Sequence, residues 1–468
     1  MSGRYRSSLR NALHGDRSAV NAGARSVARS SLHSSYIRHY PLRSHYLSLR
    51  HTSGCLKDTH ARAITPTAVE KISGNEDGIG KGQLHHISYA ATGINARSRS
   101  PDPTRCMQTS KKSAAHVGTE RAGLTGLKNI GNTCFMNSIL QCLSNTKELR
   151  DYCTSGAFLS ELSASTSRKD TPLIAAFASV LEALWKQHSV YTTGGVYDPD
   201  RFHRKVQQYA PRFSGYLQQD AQEFLRYLLE GLHEDVNRVT TKAKLETQEI
   251  PEHFSDSQKS AEAWKRYLKR DNSKLVDLFV GQLKSSLVCD RCGHCSVTFD
   301  PFWDLALPIP SYRNSPLSDY TVYDCFKLFT KKEALDGDER PVCEHCKSRQ
   351  RCVKFFSIQR FPKYLVIHLK RFSQDRYRAK ISSLVDYPVD GLDLLPFAAE
   401  MYSGPRPRYD LYAVSCHTGS THYGHYTAFC KHFLTGKWSE YNDSRVSSAS
   451  VRDSVTSDAY VLFYEHTG

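Results

Sequence analysis

The apolar positions change their period partway along the chain. Residues 173–188 place Leu173, Ile174, Phe177, Val180, Leu181 and Leu184 three and four apart, which predicts a helix. A second helical pattern runs from about Gln219 to Asn237, through Phe224, Leu225, Leu228, Leu229 and Leu232. Residues Cys134 to Leu143 predict a third, entered through a Gly131-Asn132-Thr133 turn. Residues 241–262 are polar and are expected to form a surface loop. From about Val276 the pattern shortens to β-branched and aromatic runs. Strands are expected at 363–372, 411–415, 425–430 and 459–464. Helices first and strands later predict an α+β fold rather than alternating βαβ units. The sequence contains no internal repeat.

Residues 1–120 lack such a pattern and are rich in Ser, Arg and His. They read as a basic, disordered tail, unable to bury enough apolar surface to offset chain entropy. Residues 1–40 carry seven arginines and one acid, Asp16, so an organelle transit segment stays open. The chain of 468 residues then divides into the tail and a body of residues 121–468 large enough for a core. The net charge is +16, but 18 Lys/Arg against 7 Asp/Glu lie in residues 1–120. The body, with 45 against 40, is close to neutral, so no nucleic acid is expected on it. No run approaches ~18 consecutive apolar residues, so no membrane span is expected. Fourteen irregularly spaced cysteines without a secretory signal favour a reducing compartment, cytoplasm or nucleus. Cys142, Cys153, Cys325 and Cys430 sit among apolar neighbours and read as core residues.

Three constellations carry candidate chemistry. Cys134 stands in the first turn of its predicted helix, where free N–H groups and the dipole favour a thiolate. Asn129 lies on the approach to it and has an amide that can donate to an oxyanion. His425 lies on a predicted strand, and Asn442 and Asp443 follow the turn signal Thr435-Gly436-Lys437, which predicts a hairpin bringing them together. Cys, His, Asn in that order suits nucleophile, base and orienting amide. Secondly, Asp220 and Glu223 share one face at a helix start, as dipole-favoured acids or as a basic-peptide site. Thirdly, Cys289-Asp-Arg-Cys292 and Cys343-Glu-His-Cys346 offer four thiolates suited to a structural zinc ion. Cys295 and Cys352 flank these pairs and are not expected to be ligands. His294 and His345 are expected to point away.

The segment Gly126-Leu-Lys-Asn-Ile-Gly-Asn-Thr-Cys-Phe-Met-Asn-Ser-Ile-Leu-Gln-Cys-Leu143 resembles the cysteine box of the ubiquitin-specific proteases. Tyr423-Gly-His-Tyr-Thr-Ala-Phe429 with Tyr441-Asn-Asp-Ser444 resembles their histidine box. Gly215-Tyr-Leu-Gln-Gln-Asp-Ala-Gln-Glu-Phe-Leu225 and Asp277-Leu-Phe-Val-Gly-Gln-Leu-Lys284 extend the resemblance over about 123–465, and none of it touches the tail. The resemblance implies a papain-like cysteine isopeptidase with a helical thumb (about 121–275), a zinc-stapled β finger (about 276–360) and a β palm (about 361–468). It implies Cys134 as nucleophile, His425 as general base, Asn442 as its orienting partner and Asn129 at the oxyanion. Asp443 is adjacent and could share the orienting role. The implied substrate is ubiquitin on proteins or chains, its basic Leu-Arg-Leu-Arg-Gly-Gly tail met by Asp220, Glu223, Gln219, Gly424 and Tyr426. Tyr423 departs from the commoner Gly before Gly-His. The tail is expected to dock regulatory partners. Three readings compete: a ubiquitin-binding module without catalysis, a basic zinc protein for nucleic acid, and action on a ubiquitin-like modifier.

Overall fold

In the computed structural model, the described residues are 122–162, 172–186, 192–193, 195–215, 217–241, 249–310, 320–372, 380–420 and 423–468. The expected tail, 1–120, lies outside them. No helix among the described residues is long and apolar enough to cross a membrane.

Eight helices are labelled in chain order: α1 Cys134–Ser144, α2 Lys147–Thr154, α3 Leu173–Trp185, α4 Asp200–Tyr209, α5 Ala221–Asp235, α6 Asp256–Leu268, α7 Lys274–Phe279 and α8 Val322–Phe329. The longer strands are β1 Gly281–Cys289, β2 Cys295–Phe302, β3 Leu305–Pro308, β4 Glu333–Leu335, β5 Cys352–Arg360, β6 Tyr364–Lys370, β7 Arg408–Gly419, β8 Gly424–Lys431, β9 Trp438–Asn442, β10 Arg445–Ala449 and β11 Ala459–His466.

Most of the later strands join one twisted sheet in the order β10-β9-β8-β7-β11-β6-β3, with Leu392–Asp393 paired to the start of β7. Its central strand β7 is buried on both faces from Leu411 to His417, because each face meets a separate apolar core. One core, through Tyr412, Ala413 and Tyr426, packs against the helices. The other, through Leu411, Val414 and Cys416, packs against α8 and neighbouring loops. Helix α1 lies between α5 and the sheet, and all of its residues are buried. Truncating Ile139 or Leu140 in that position costs about 2–5 kcal/mol. The helix that begins at Cys134 is therefore rigid where chemistry needs it.

A second sheet, β2-β1-β5-β4, forms a separate blade. Its cysteine-bearing end has no ordinary core: the buried cluster there is Cys289, Cys343 and Cys352, with Leu287 and Cys346 against it. Segment 276–360 is not finger alone, since Leu305–Pro308 pairs in parallel with β6 in the large sheet.

The expected helices are found at α1, α3 and α5, and the expected strands lie in β6, β7, β8 and β11. The surface loop expected over 241–262 is partly wrong. Helix α6 begins at Asp256, set off by a capping box in which Ser255 Oγ accepts from Gln258 N and the Gln258 side chain accepts from Ser255 N. Its weak apolar stripe hid it, while its cap was visible in Ser-x-x-Gln. Residues 242–248 lie outside the described residues. Val276 also belongs to helix α7, so the longer strands start at Gly281.

Candidate active site

Cys134 is the first residue of α1 and is 3% exposed. The turn into the helix uses two left-handed residues, Gly131 (φ 118°) and Asn132 (φ 52°). Asn129 holds this turn: its Oδ1 accepts from Gly131 N at 3.1 Å and from Thr133 N at 3.2 Å. Its Nδ2 donates to Asp443 Oδ2 at 2.9 Å, which leaves the second amide hydrogen for a ligand.

His425 is the second residue of β8. The predicted hairpin is present: β8 pairs with β9 from Ala428–Tyr441 to Lys431–Trp438, turning at Gly436 (φ 67°). It delivers Asn442, whose Oδ1 lies 2.8 Å from His425 Nε2. With the carboxamide oxygen there, Nε2 donates and Nδ1 keeps its lone pair. The backbone N–H of Tyr426, next to His425, is directed at the Cys134 sulfur. Asn442 thus lies against His425, and the residue that follows His425 lies against Cys134.

Asp443 takes a different place. Its Oδ2 is 3.9 Å from His425 Nε2, beyond hydrogen-bond length. Its carboxylate instead accepts from two amides, Asn129 Nδ2 and Asn137 Nδ2, the latter at 2.8 Å. Its carbonyl accepts from Leu127 N at 2.8 Å. With φ 48° it bends the chain so that the Asn442 and Asp443 side chains serve different partners. Asn137 was not singled out in the sequence. It lies three residues after Cys134, one turn along the same helix face, and that spacing was the available signal.

The expectation of a lowered Cys134 pKa is corrected. Burial pushes the thiol up and the Asp443 carboxylate adds to this, against the downward pull of the Tyr426 and Phe135 N–H groups. A buried helix start gives the sulfur donors but also takes away water.

Around this centre the acids have partners of their own. Asp220 Oδ1 caps α5, accepting from Gln222 N at 2.8 Å and Glu223 N at 3.0 Å, and its Oδ2 accepts from Tyr460 Oη at 2.5 Å. Glu223, 35% exposed, pairs with Arg212. Burial raises its pKa and Arg212 opposes this. Gln219 turns its amide to Arg212 O at 3.4 Å. The glutamine that reaches the histidine strand is Gln218, which the sequence reading passed over. Its amide pairs with both backbone groups of Gly424, donating to O at 2.7 Å and accepting from N at 2.9 Å. Tyr426 is 5% exposed, with Oη accepting from Ala221 N at 3.4 Å. The Tyr426 ring is therefore enclosed, and of this residue expected at the ubiquitin tail it is the backbone that lies at the Cys134 sulfur. Tyr423, by contrast, is 83% exposed beside the site.

The four cysteines of the two CxxC pairs come together at the blade end, their sulfurs all within 4.8 Å of one another. Cys292 and Cys343 sulfurs are 3.7 Å apart, and a tetrahedral four-thiolate zinc site, with Zn–S about 2.3 Å, needs about 3.8 Å. Both knuckles use the same turn: Gly293 N donates to Cys289 O at 2.9 Å and Lys347 N to Cys343 O at 2.8 Å, each donor residue at positive φ. Backbone N–H of Cys292 on the Cys289 sulfur lowers that thiol to about 7. The donor set fits a metal ion. Cys295 is exposed and Cys352 buried, both outside the four. The His294 and His345 rings stack on one another, centroids 6.2 Å apart.

Residues 125–464 match the sequence model of the family described as ubiquitin carboxyl-terminal hydrolase. The chain belongs to that family. It is similar to ubiquitin carboxyl-terminal hydrolase 2 of Bos taurus, 52% identical over 369 residues, 79% of this chain and 58% of the relative. It is also similar to hydrolase 21 of Homo sapiens, 44% identical over 387 residues, 80% of this chain and 66% of the relative. The chain thus spans about 58% of the length of the former. Among solved structures, the SAGA Ubp8/Sgf11/Sus1/Sgf73 DUB module bound to ubiquitin aldehyde is similar, with TM-score 0.59 and 28% identity. That match covers 75% of this hydrolase-family chain and 71% of the other.

Proposed function

We propose that this family member is a cysteine deubiquitinase that cleaves the isopeptide bond after the terminal glycine of ubiquitin. The carrying observation is the His425 Nε2–Asn442 Oδ1 contact at 2.8 Å on a strand whose next N–H faces the Cys134 sulfur. It leaves His425 Nδ1 as the base available to the thiol. Because burial raises the thiol, Cys134 stays protonated until His425 takes the proton as the sulfur attacks. Asn129 donates to the oxyanion of the tetrahedral intermediate. His425 returns the proton to the leaving lysine amine, and water, with His425 again as base, hydrolyses the thioester.

Asp220 and Glu223 are the groups for the arginines of the ubiquitin tail. Each carboxylate keeps acceptor capacity beyond its internal partners. Gln218, paired with Gly424, and Gln219, on Arg212 O, stand beside these acids. Cys289, Cys292, Cys343 and Cys346 hold a structural zinc ion, which supplies no chemistry to the reaction because four thiolates close its coordination sphere. A four-thiolate metal site, which needs reduced cysteines, fits a reducing compartment, cytoplasm or nucleus.

The test is cleavage of lysine-linked diubiquitin by the full chain, beside fluorogenic amides of ubiquitin and of ubiquitin-like modifiers. Release of monoubiquitin that needs both Cys134 and His425 supports the reading. Hydrolysis of a ubiquitin-like amide alone would reassign the substrate.

A further inference from the structure

The His425 end of the β7–β8 hairpin projects beyond the rest of its sheet. On one flank, pairing of β7 with β11 ends at Cys416–Ala459. On the other, pairing of β8 with β9 begins only at Ala428–Tyr441. The pairs His417–Tyr426, Thr418–His425 and Gly419–Gly424 therefore form a two-stranded extension with, among the described residues, no ladder strand on either side. A lone pair of strands is marginally stable in water. Yet this extension must hold His425 against Cys134 within a fraction of an ångström. Gln218 and Asn442 hold the β8 flank.

The β7 flank is held by a half-buried ion pair. Lys380, its side chain 6% exposed, donates to Asp458 Oδ1 at 2.7 Å and to His417 O. The same aspartate receives Thr418 Oγ1 on Oδ2 at 3.1 Å and His417 N on its carbonyl at 2.8 Å. Both hydrogen-bonding groups of the His417 backbone thus end on Lys380 or Asp458. Lys380 is itself fixed: it bridges to Phe372, and the next residue, Ile381, is bound at both N and O by Arg371. Arg371 is fully buried and also donates to Ala459 O at 2.6 Å. Below the extension, His417 fills the space beside Gly424 so tightly that a Cβ on Gly424 would collide with its Nε2. The ring also lies 4.6 Å from that of Tyr426.

We propose that Lys380 and Asp458 are positioning residues for His425: the pair straps the end of β7 and so sets where the histidine edge of β8 stands against Cys134. The inference rests on the reading of His425 as general base. Neither residue touches the reacting atoms. Loss of the strap lets the two-stranded extension drift, which lowers the chemical step more than binding, because Asp220 and Glu223 on α5 do not depend on it.

The experiment is steady-state hydrolysis of a ubiquitin C-terminal fluorogenic amide by the full chain, with bound zinc and melting temperature measured on every variant. For Lys380→Met the expected result is a fall in kcat of about tenfold or more, with KM changed less than about twofold. Lys380→Arg, which can still pair with Asp458, recovers most of kcat. Should Lys380→Met fail to fold, Thr418→Val, which removes one tie to Asp458 and no charge, decides by the same criteria. Unchanged kcat in a folded variant overturns the proposal. So does a rise in KM at constant kcat, which would give the segment a binding role. An inactive wild type, or an active His425→Gln, would instead overturn the underlying reading.

Discussion

Asp443 is where single-residue chemistry is most exposed to test. One carboxylate accepts from Asn129 and Asn137 at 2.9 and 2.8 Å. Asp443→Asn replaces one of those acceptors by a donor, so an amide is left unpaired, at a cost of about 1–3 kcal/mol. Turnover should fall mainly in kcat, because Asn129 loses its fixed orientation, and a kcat/KM split with a urea titration would show it. His417 gives a pH signature. Burial, helped by the Lys380 charge, lowers its pKa to about 4. The unfolded chain, near its ordinary value of about 6.5, then binds a proton that the folded state refuses. Stability is complete above about 6.5 and falls as pH drops toward about 4, by up to about 3 kcal/mol. Urea midpoints across that range should slope steeply for the wild type and less for His417→Gln; equal slopes would contradict the assignment. The sequence placed Cys134, His425 and Asn442 because each sits on a strongly patterned element. It did not separate Asn442 from Asp443, since that depends on a left-handed φ at Asp443, a conformation that Asn and Asp both adopt more readily than most residues.

Among the elements, helix α5 carries both a structural and a binding reading. Asp220 caps it, and a serine is an equally good cap but bears no charge. Asp220→Ser should therefore keep the helix while losing the charge offered to a basic tail. KM for a ubiquitin substrate is expected to rise about tenfold, the worth of a charge-assisted hydrogen bond, while melting falls only by the loss of the Tyr460 Oη partner, about 1–3 kcal/mol. A constant KM would leave Asp220 as a cap alone. Long periodic elements such as α3 and α5 were legible from apolar spacing. Helix α6 was not, because its buried stripe is thin and only Ser260 is fully enclosed. Gln218 was misjudged in favour of Gln219 because adjacent residues on a loop carry no periodicity to tell which faces the strand.

At the scale of the molecule, two sheets differ in what holds them. The large sheet has an apolar core on each face, whereas the blade end has only cysteines and one leucine at its centre. Removal of metal by a chelator, or Cys343→Ser, should loosen the blade first. The expected readouts are loss of about one bound zinc per chain, faster proteolysis within 281–360, and weaker ubiquitin binding. Proteolysis unchanged by metal removal would contradict a stapling role. The four ligands were readable in the sequence as two CxxC pairs; their common destination, across more than one strand, was not readable from spacing alone. The central claim is that Cys134 attacks the last carbonyl of ubiquitin with His425 as its base. The most direct measurement is release of a fluorophore from the C-terminus of ubiquitin by the full chain, beside Cys134→Ala, with ubiquitin binding measured on both. Turnover by the wild type alone, with binding kept in the variant, is the predicted result. Turnover that survives the substitution, or a wild type that binds ubiquitin without cleaving it, would contradict the account.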